Sequence, residues 1–176
     1  LQAAALVPPL MGLAVPSTPS GQLCRELLLA WDFQASPDAV GPTVWAAAKS
    51  AILREALVDE LGVDGVRLYL RVWGNRGTPL DTGLAGLTDN PAQTISRGLT
   101  AACESLTIRY GDDPSQWTWG EPHELHLKHP FGGRVKMLSA WNMRPVPWGG
   151  SAATVNAAAH SLATDDWSTG TMASMR

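Results

Sequence analysis

Cysteine, tyrosine and phenylalanine occur twice each in this chain, histidine four times, and charged residues make up 16% of it. Lysine and arginine are scattered singly and the formal net charge is −3, so there is no basic footprint for nucleic acid and no polybasic patch for a membrane surface. No apolar run reaches the ~18–20 residues that a membrane span needs. CxxC is absent. Cys24 and Cys103 each occupy an apolar position in a helical pattern and read as small buried hydrophobes, with a disulfide as the alternative. Cysteine usage therefore does not fix the redox compartment. Self-sufficient catalytic signatures are missing as well. There is no GxSxG and no HExxH, and the glycine pairs in GNRG and WGG lack the Lys-Ser/Thr or strand–helix context of a phosphate loop. The adjacent carboxylates Asp165 and Asp166 read as solvated surface.

What is present suits one domain of 176 residues with a sizeable core, since 45% hydrophobic content argues against disorder. Eight tryptophans are many for such a chain. They are candidates to line a ligand pocket, but large rings more often fill cores. The apolar start lightly resembles the hydrophobic stretch of a signal peptide, without a basic flank and with Pro8-Pro9 breaking it. Residues 21–31 show helical spacing through Leu23, Leu27, Leu28 and Trp31. Ser36-Pro37-Asp38 reads as an N-cap, Gly41-Pro42 interrupts, and a strong helix is expected from about Thr43 to a stop at Gly62, with Lys49 largely off its apolar stripe. Residues 66–73 alternate strictly and predict a strand, followed by a turn-rich loop. Asn90-Pro91 opens a second helix along Ile95, Leu99, Cys103, Leu106 and Tyr110, closed by Gly111. The expectation is a mainly helical 1–116 and a mainly strand-forming 117–176.

Three histidines, His123, His126 and His129, fall between Pro122 and Pro130 in a stretch too short for a helix. On a strand, His126 faces away from the other two, and His123 and His129 stand roughly 20 Å apart at ~3.3 Å per residue. A zinc ion with bonds of ~2 Å does not span that gap. The run reads as a half-buried strand, not as a metal site.

The same region carries a resemblance. YGDDPSQWTWGEPHELHLKHPFG is similar to a segment of the penicillin acylase (penicillin amidase) family through Tyr110, Gly111, Asp113, Trp117, Trp119, Gly120, His123, His129, Pro130 and Gly132. PVPWGGSAATVNAAAHS resembles the family's GGxxxTVNA segment through Gly149, Gly150, Thr154, Val155, Asn156 and Ala157. The final TMASMR is similar to a GxSxR stretch, and LLLAWDFQASPDAV resembles an upstream WD-containing helix start.

The resemblance implies an α+β chain forming part of a four-layer αββα N-terminal-nucleophile hydrolase fold. It also implies cleavage of linear amides, such as β-lactam side chains or N-acyl-homoserine lactones, through an acyl-enzyme. No cofactor or metal is implied, and the location implied is periplasmic or secreted. In such enzymes a precursor cuts itself, exposing a serine whose own α-amine acts as base. That nucleophile, the following histidine, and the asparagine and arginine of the site lie upstream of the matched segments, with no counterparts in residues 1–176. The expectation is thus a C-terminal β-chain fragment that is inactive alone and partners the upstream β-chain segment and the α chain. Trp117, Trp119, Gly120, His123, His129, Pro130, Gly149, Gly150, Thr154 and Asn156 are expected to be structural. A departure is Ser151-Ala152-Ala153 where the family often carries an Asp-bearing GGDG. The alternative is a non-catalytic binding module or a truncated, inactive homologue.

Overall fold

Local signals in the first 110 positions are strong enough to set four helices, and these hold most of the core. The computed structural model describes residues 2–73, 79–127, 136–152, 154–164, 166–169 and 173–174. Helix α1 spans Gln2–Leu13, α2 Pro19–Leu29, α3 Gly41–Trp73 and α4 Pro91–Tyr110. Short 3-10 turns follow at Pro79–Thr82, Pro114–Gln116 and Lys136–Trp141. The chain is a helix-rich α+β fold.

The proline pair does not break the first helix. Pro8 and Pro9 lie inside α1, each removing a backbone donor at a cost of about 3 kcal/mol in an ordinary helix interior. Leu6, Val7, Leu10 and Met11 are buried around them. At ~1.5–3 kcal/mol for each buried side chain, that packing offsets the loss. Helix α2 begins earlier than its apolar spacing indicates, because Thr18 is its N-cap, accepting from the Gly21 N–H at 3.1 Å, with Pro19 opening the first turn.

Helix α3 corrects two sequence expectations. It starts at Gly41, and Ser36–Ala39 form a turn closed by the Ala39 N–H on the Ser36 carbonyl at 3.1 Å. Gly62 does stop the first arm, with φ 65° and ψ 173°, but a second helical arm continues to Trp73. The predicted strand over 66–73 is therefore a helix. Val66 and Leu70, four apart, are buried, whereas Leu68, Val72 and Trp73 of the alternating pattern are exposed. Both periods were present in this short apolar run, and among the described residues no strand pairs with it to form a ladder.

Helix α4 matches its sequence signals. The Asn90 side chain accepts from the Gln93 N–H at 3.1 Å, Pro91 opens the helix, and Gly111 caps it at φ 91°. Its face of Ile95, Leu99, Cys103 and Leu106 is buried between α2 and α3. No helix among the described residues is long and apolar enough to cross a membrane.

Residues 117–176 were expected to be mainly strands. Among the described residues they carry four two-residue strands, the rest being loop and turn. Strand β1 (Glu124–Leu125) pairs antiparallel with β2 (Val146–Pro147), and β3 (Asn156–Ala157) with β4 (Ala173–Ser174). Leu125 also bridges Thr169 in parallel. Prolines and glycines every few residues cut the extended segments short, and a two-stranded pair has little stability of its own. His129, Pro130, Gly132 and Asp165 lie outside the described residues.

Helix crossing makes a sharp prediction. A Cβ at Gly98 of α4 would stand 2.7 Å from the Ile52 Cα and 2.8 Å from its nitrogen, which are backbone atoms that cannot step aside. Gly98→Ala should destabilise the fold by about 1–3 kcal/mol. Gly12→Ala, with open space around it, should be neutral or stabilising by up to ~1 kcal/mol. Urea denaturation of the two variants side by side checks the contrast.

Candidate functional site

The loops of the second half converge on the turn that precedes α3. Trp119 donates its backbone N–H to the Ala39 carbonyl at 2.8 Å, and Gly120 to Pro37 at 2.7 Å. Gly150 reaches the same turn from another loop, donating to the Ala35 carbonyl at 2.7 Å. Contacts here are close. A Cβ at Gly120 would meet Pro147 at 2.8 Å and Pro37 at 3.0 Å, and one at Gly149 would stand 2.7 Å from the Ala35 oxygen. Gly150 has φ 87°, and an added Cβ would run into the Asn156 carbonyl.

Beneath this seam lies a cluster of four rings. Trp119 and His123 stack with centroids 4.4 Å apart and planes 17° from parallel. His160 meets both edge-on, at 5.2 and 5.5 Å, and Trp167 closes the group at 6.1 Å from Trp119. The Trp119 indole N–H donates to the Gly150 carbonyl at 2.8 Å, which ties the cluster to the seam above. His123 Nδ1 lies 2.7 Å from the Trp167 carbonyl. A carbonyl only accepts, so that nitrogen carries the proton and Nε2 holds the lone pair. Nε2 is buried and makes no hydrogen bond among the described residues.

Burial sets the charge state of the cluster. It pushes His160 down to about 3, with the nearby His123 and Lys49 adding to the effect. His123 is lowered by burial too, against the opposing pull of the Trp167 carbonyl. Both imidazoles are neutral at neutral pH. Lys49, on α3, is 4% exposed and is lowered to about 8 by burial, partly offset by Asp81. Its Nζ reaches Gln2 Oε1 at 3.5 Å. Lys49, Trp31, Phe33, Trp45, Trp119 and His160 line a cavity of about 50 Å³. That volume admits one or a few waters. It does not admit a drug-sized amide, whose pockets are typically ~300 Å³ or more.

The other sequence-selected residues that the structure describes are held by bonds of the same kind, while His129 and Pro130 lie outside the described residues. Trp117 is buried and donates its indole N–H to the Gly111 carbonyl at 2.9 Å, bracing the end of α4. Thr154 Oγ1 accepts from the Ser151 N–H at 2.8 Å and lies 2.7 Å from the Asn156 carbonyl. Asn156 donates its side-chain amide to the Gly149 carbonyl at 3.0 Å. Around β1, Glu124 and His126 are the partly exposed pair, with Oε2 and Nε2 3.2 Å apart, while His123 and Leu125 are buried. Among the described residues, no three His, Cys, Asp or Glu side chains gather as a metal site.

Sequence reasoning missed Lys49, His160 and Trp167. Lys49 was placed off the apolar stripe of its helix. The loops of the second half cover that flank, however, and everything from Gly41 to Lys49 is buried. Ser50 Oγ and Arg54 hold the covering loop by donating to the carbonyls of Leu162 and Ala163. His160 and Trp167 carry no local spacing signal that marks them as neighbours of Trp119.

The geometry therefore defines a helical platform on which loops are fixed by a neutral tryptophan–histidine core. The family model described as penicillin amidase matches residues 1–176, and the chain belongs to that family, a hydrolase of the penicillin acylase type. No curated protein gives a significant match to it.

Two pH effects follow from the buried groups. His160 has a folded value near 3 against an ordinary 6.5, so between those limits the unfolded chain binds a proton that the folded chain does not. Stability should fall as pH drops from 6.5 towards 3, with about one proton taken up at this site on unfolding. His160→Gln should flatten that part of a urea-stability profile. Lys49 works in the other window. Its ammonium is disfavoured in the fold, a cost fully present below pH 8 and relieved as pH rises towards 10.5. Lys49→Met should raise stability at pH 7 by a few kcal/mol and remove the rise between pH 8 and 10.5.

Proposed function

We propose that this chain is one part of an amidohydrolase that cleaves linear amides through an acyl-enzyme, with β-lactam side-chain amides or N-acyl-homoserine lactones as the substrate class. The observation that carries this reading is the match to the penicillin amidase family along residues 1–176. In the reading, the chain is the later part of a β chain and contributes helices and edge segments to a four-layer αββα core. The nucleophile and its neighbouring donors sit on the upstream β-chain segment, the α chain completes the enzyme, and processing places the whole in the periplasm or outside the cell.

Two features of the structure support that division. Trp119, Gly120, His123, Gly149, Gly150, Thr154 and Asn156 direct their hydrogen bonds to each other, to the turn at residues 35–39 and, from the His123 ring, to the Trp167 carbonyl, which is scaffold work. Second, Met137, Trp141, Met143, Val146 and Val155 expose large apolar side chains along the strand-poor half. Short extended segments with apolar flanks are what a sheet presents where further strands are to pair. Four of the eight tryptophans, Trp45, Trp117, Trp119 and Trp167, are buried and so not open as a binding platform, whereas Trp73 and Trp141 are exposed.

The test is kinetic. The 176-residue chain alone should release no burst of chromophore from a chromogenic N-acyl amide, because nucleophile, base and oxyanion donors are supplied elsewhere. Joined with the upstream segment of its own precursor, it should give a burst approaching one equivalent per enzyme. A burst from the isolated chain would overturn the division of labour. Its absence from the joined protein would overturn the amidase reading itself.

A further inference from the structure

Helices α2 and α4 are held in close register at one point. The Thr18 and Thr100 hydroxyls lie 2.7 Å apart, joining the cap of α2 to the middle of α4. Beside that bond Gly21 comes so near α4 that an added Cβ would stand 2.7 Å from the Thr100 oxygen. Three residues further along each helix, on the same faces, stand Cys24 and Cys103. The one step that separates each cysteine from the anchored contact therefore brings the two onto each other. Both are buried in the same core, both are free, and each thiol is the leading influence on the other's acidity, as neighbouring thiols are. They are the only two cysteines of the chain, and they meet across a loop of roughly 80 residues.

We propose that Cys24 and Cys103 are a preformed disulfide site that cross-links α2 to α4 when a small-molecule or protein disulfide supplies the oxidant. The neighbouring Cys24 favours the thiolate of Cys103, while the same pairing and then burial push the Cys24 thiol up, so Cys103 ionises first. The Cys103 thiolate attacks one sulfur of the oxidant, breaking its S–S bond and expelling the other sulfur as a thiolate that takes up a proton. Cys24 then loses its proton, attacks the Cys103 sulfur of the mixed disulfide and expels the second small thiol. Two protein S–H bonds and one oxidant S–S bond are exchanged for one protein S–S bond and two small thiols. Two electrons pass to the oxidant. A groove of about 700 Å³ lined by Val15, Thr18, Thr100 and Glu104 opens at the same helix junction, and since neither cysteine lines it, an oxidant reaches them only as the two helices open locally.

The test equilibrates the 176-residue chain in glutathione buffers of graded redox ratio, in native buffer and in urea above the unfolding midpoint. Alkylation and intact mass then measure the oxidised fraction, and peptide mapping identifies the link. In the native arm the Cys24–Cys103 link should form at a ratio at least about 100-fold more reducing than in urea, as expected for a fold that holds the two sulfurs together across so long a loop. Cys24→Ser and Cys103→Ser should each abolish the two-hydrogen mass loss. Equal midpoints in the two arms, or glutathione adducts without the internal link, would overturn the proposal. A cooperative urea transition of the reduced chain, followed by tryptophan fluorescence, certifies the native arm. If the chain alone lacks one, the same titration on the assembled enzyme that contains it decides the question by the same two outcomes.

Discussion

The docking of Trp119 into the turn before α3 is the constraint on which the second half of the structure depends. A region with so little sheet has few regular ladders for its buried amides and carbonyls, and buried backbone groups are almost always paired. The solution is bonding from loop to loop. Trp119 and Gly120 donate to the carbonyls of Ala39 and Pro37, and Gly150 donates to that of Ala35. Each such bond is worth only about 0.5–1.5 kcal/mol net, but leaving a buried partner unmade costs ~1–3 kcal/mol. The indole between them fixes the seam, since it fills the space below and donates to Gly150 from the other side. Removing the ring would leave the Gly150 carbonyl without that donor and open a large void under all three bonds.

Fixing the seam in this way forces polar groups under cover. His123 stacks on Trp119, His160 abuts both rings, and Lys49 is trapped where the loops cross α3. The fold accepts the imidazoles as neutral rings, which pack almost as hydrophobes. Lysine is harder to accommodate. Its stem covers apolar surface, but its head lies at the edge of a cavity with room for little beyond water. The acid sensitivity expected from His160 and the unfavourable burial of Lys49 therefore have a common origin in one packing arrangement.

How much of this was legible in the sequence depends on whether the information was local. Helix α4 was legible from end to end, because Asn90, Pro91 and Gly111 are caps and the stripe from Ile95 to Leu106 has helical period. The stop at Gly62 was legible for the same reason, but the continuation beyond it was not. VRLYLRVW satisfies a period of two as well as a spacing of four, and tertiary packing, which buries Val66 and Leu70, decides between them. The inward face of His123 and Leu125 came from simple alternation on a strand. The partners did not. That His160 would lie against His123, or that Leu162 would cover Ser50 and bury Lys49, depends on contacts between positions about 40 and 110 residues apart, and no short-range spacing encodes them.

The chemistry of the cluster also bears on what it contributes to an amide hydrolase. A general acid or base works best with a pKa near the operating pH. His160, held at about 3, is a neutral ring and a weak base in neutral solution, far from that condition. His123 has its Nδ1 proton committed to the Trp167 carbonyl, and its other nitrogen is enclosed. So held, neither ring is well matched to proton transfer at neutral pH. In the proposed division of labour the work of the pair is mechanical. A flat, stackable ring with one fixed donor ties the loop at Trp167 to the strand at Glu124, while its neighbour fills the angle between two tryptophans. A phenylalanine in place of His123 would keep the stack and lose the tether. A lysine or an arginine would bring a charge that nothing in the cluster balances. Histidine suits the position because it combines an aromatic face with one directional hydrogen bond and, once desolvated, carries no charge.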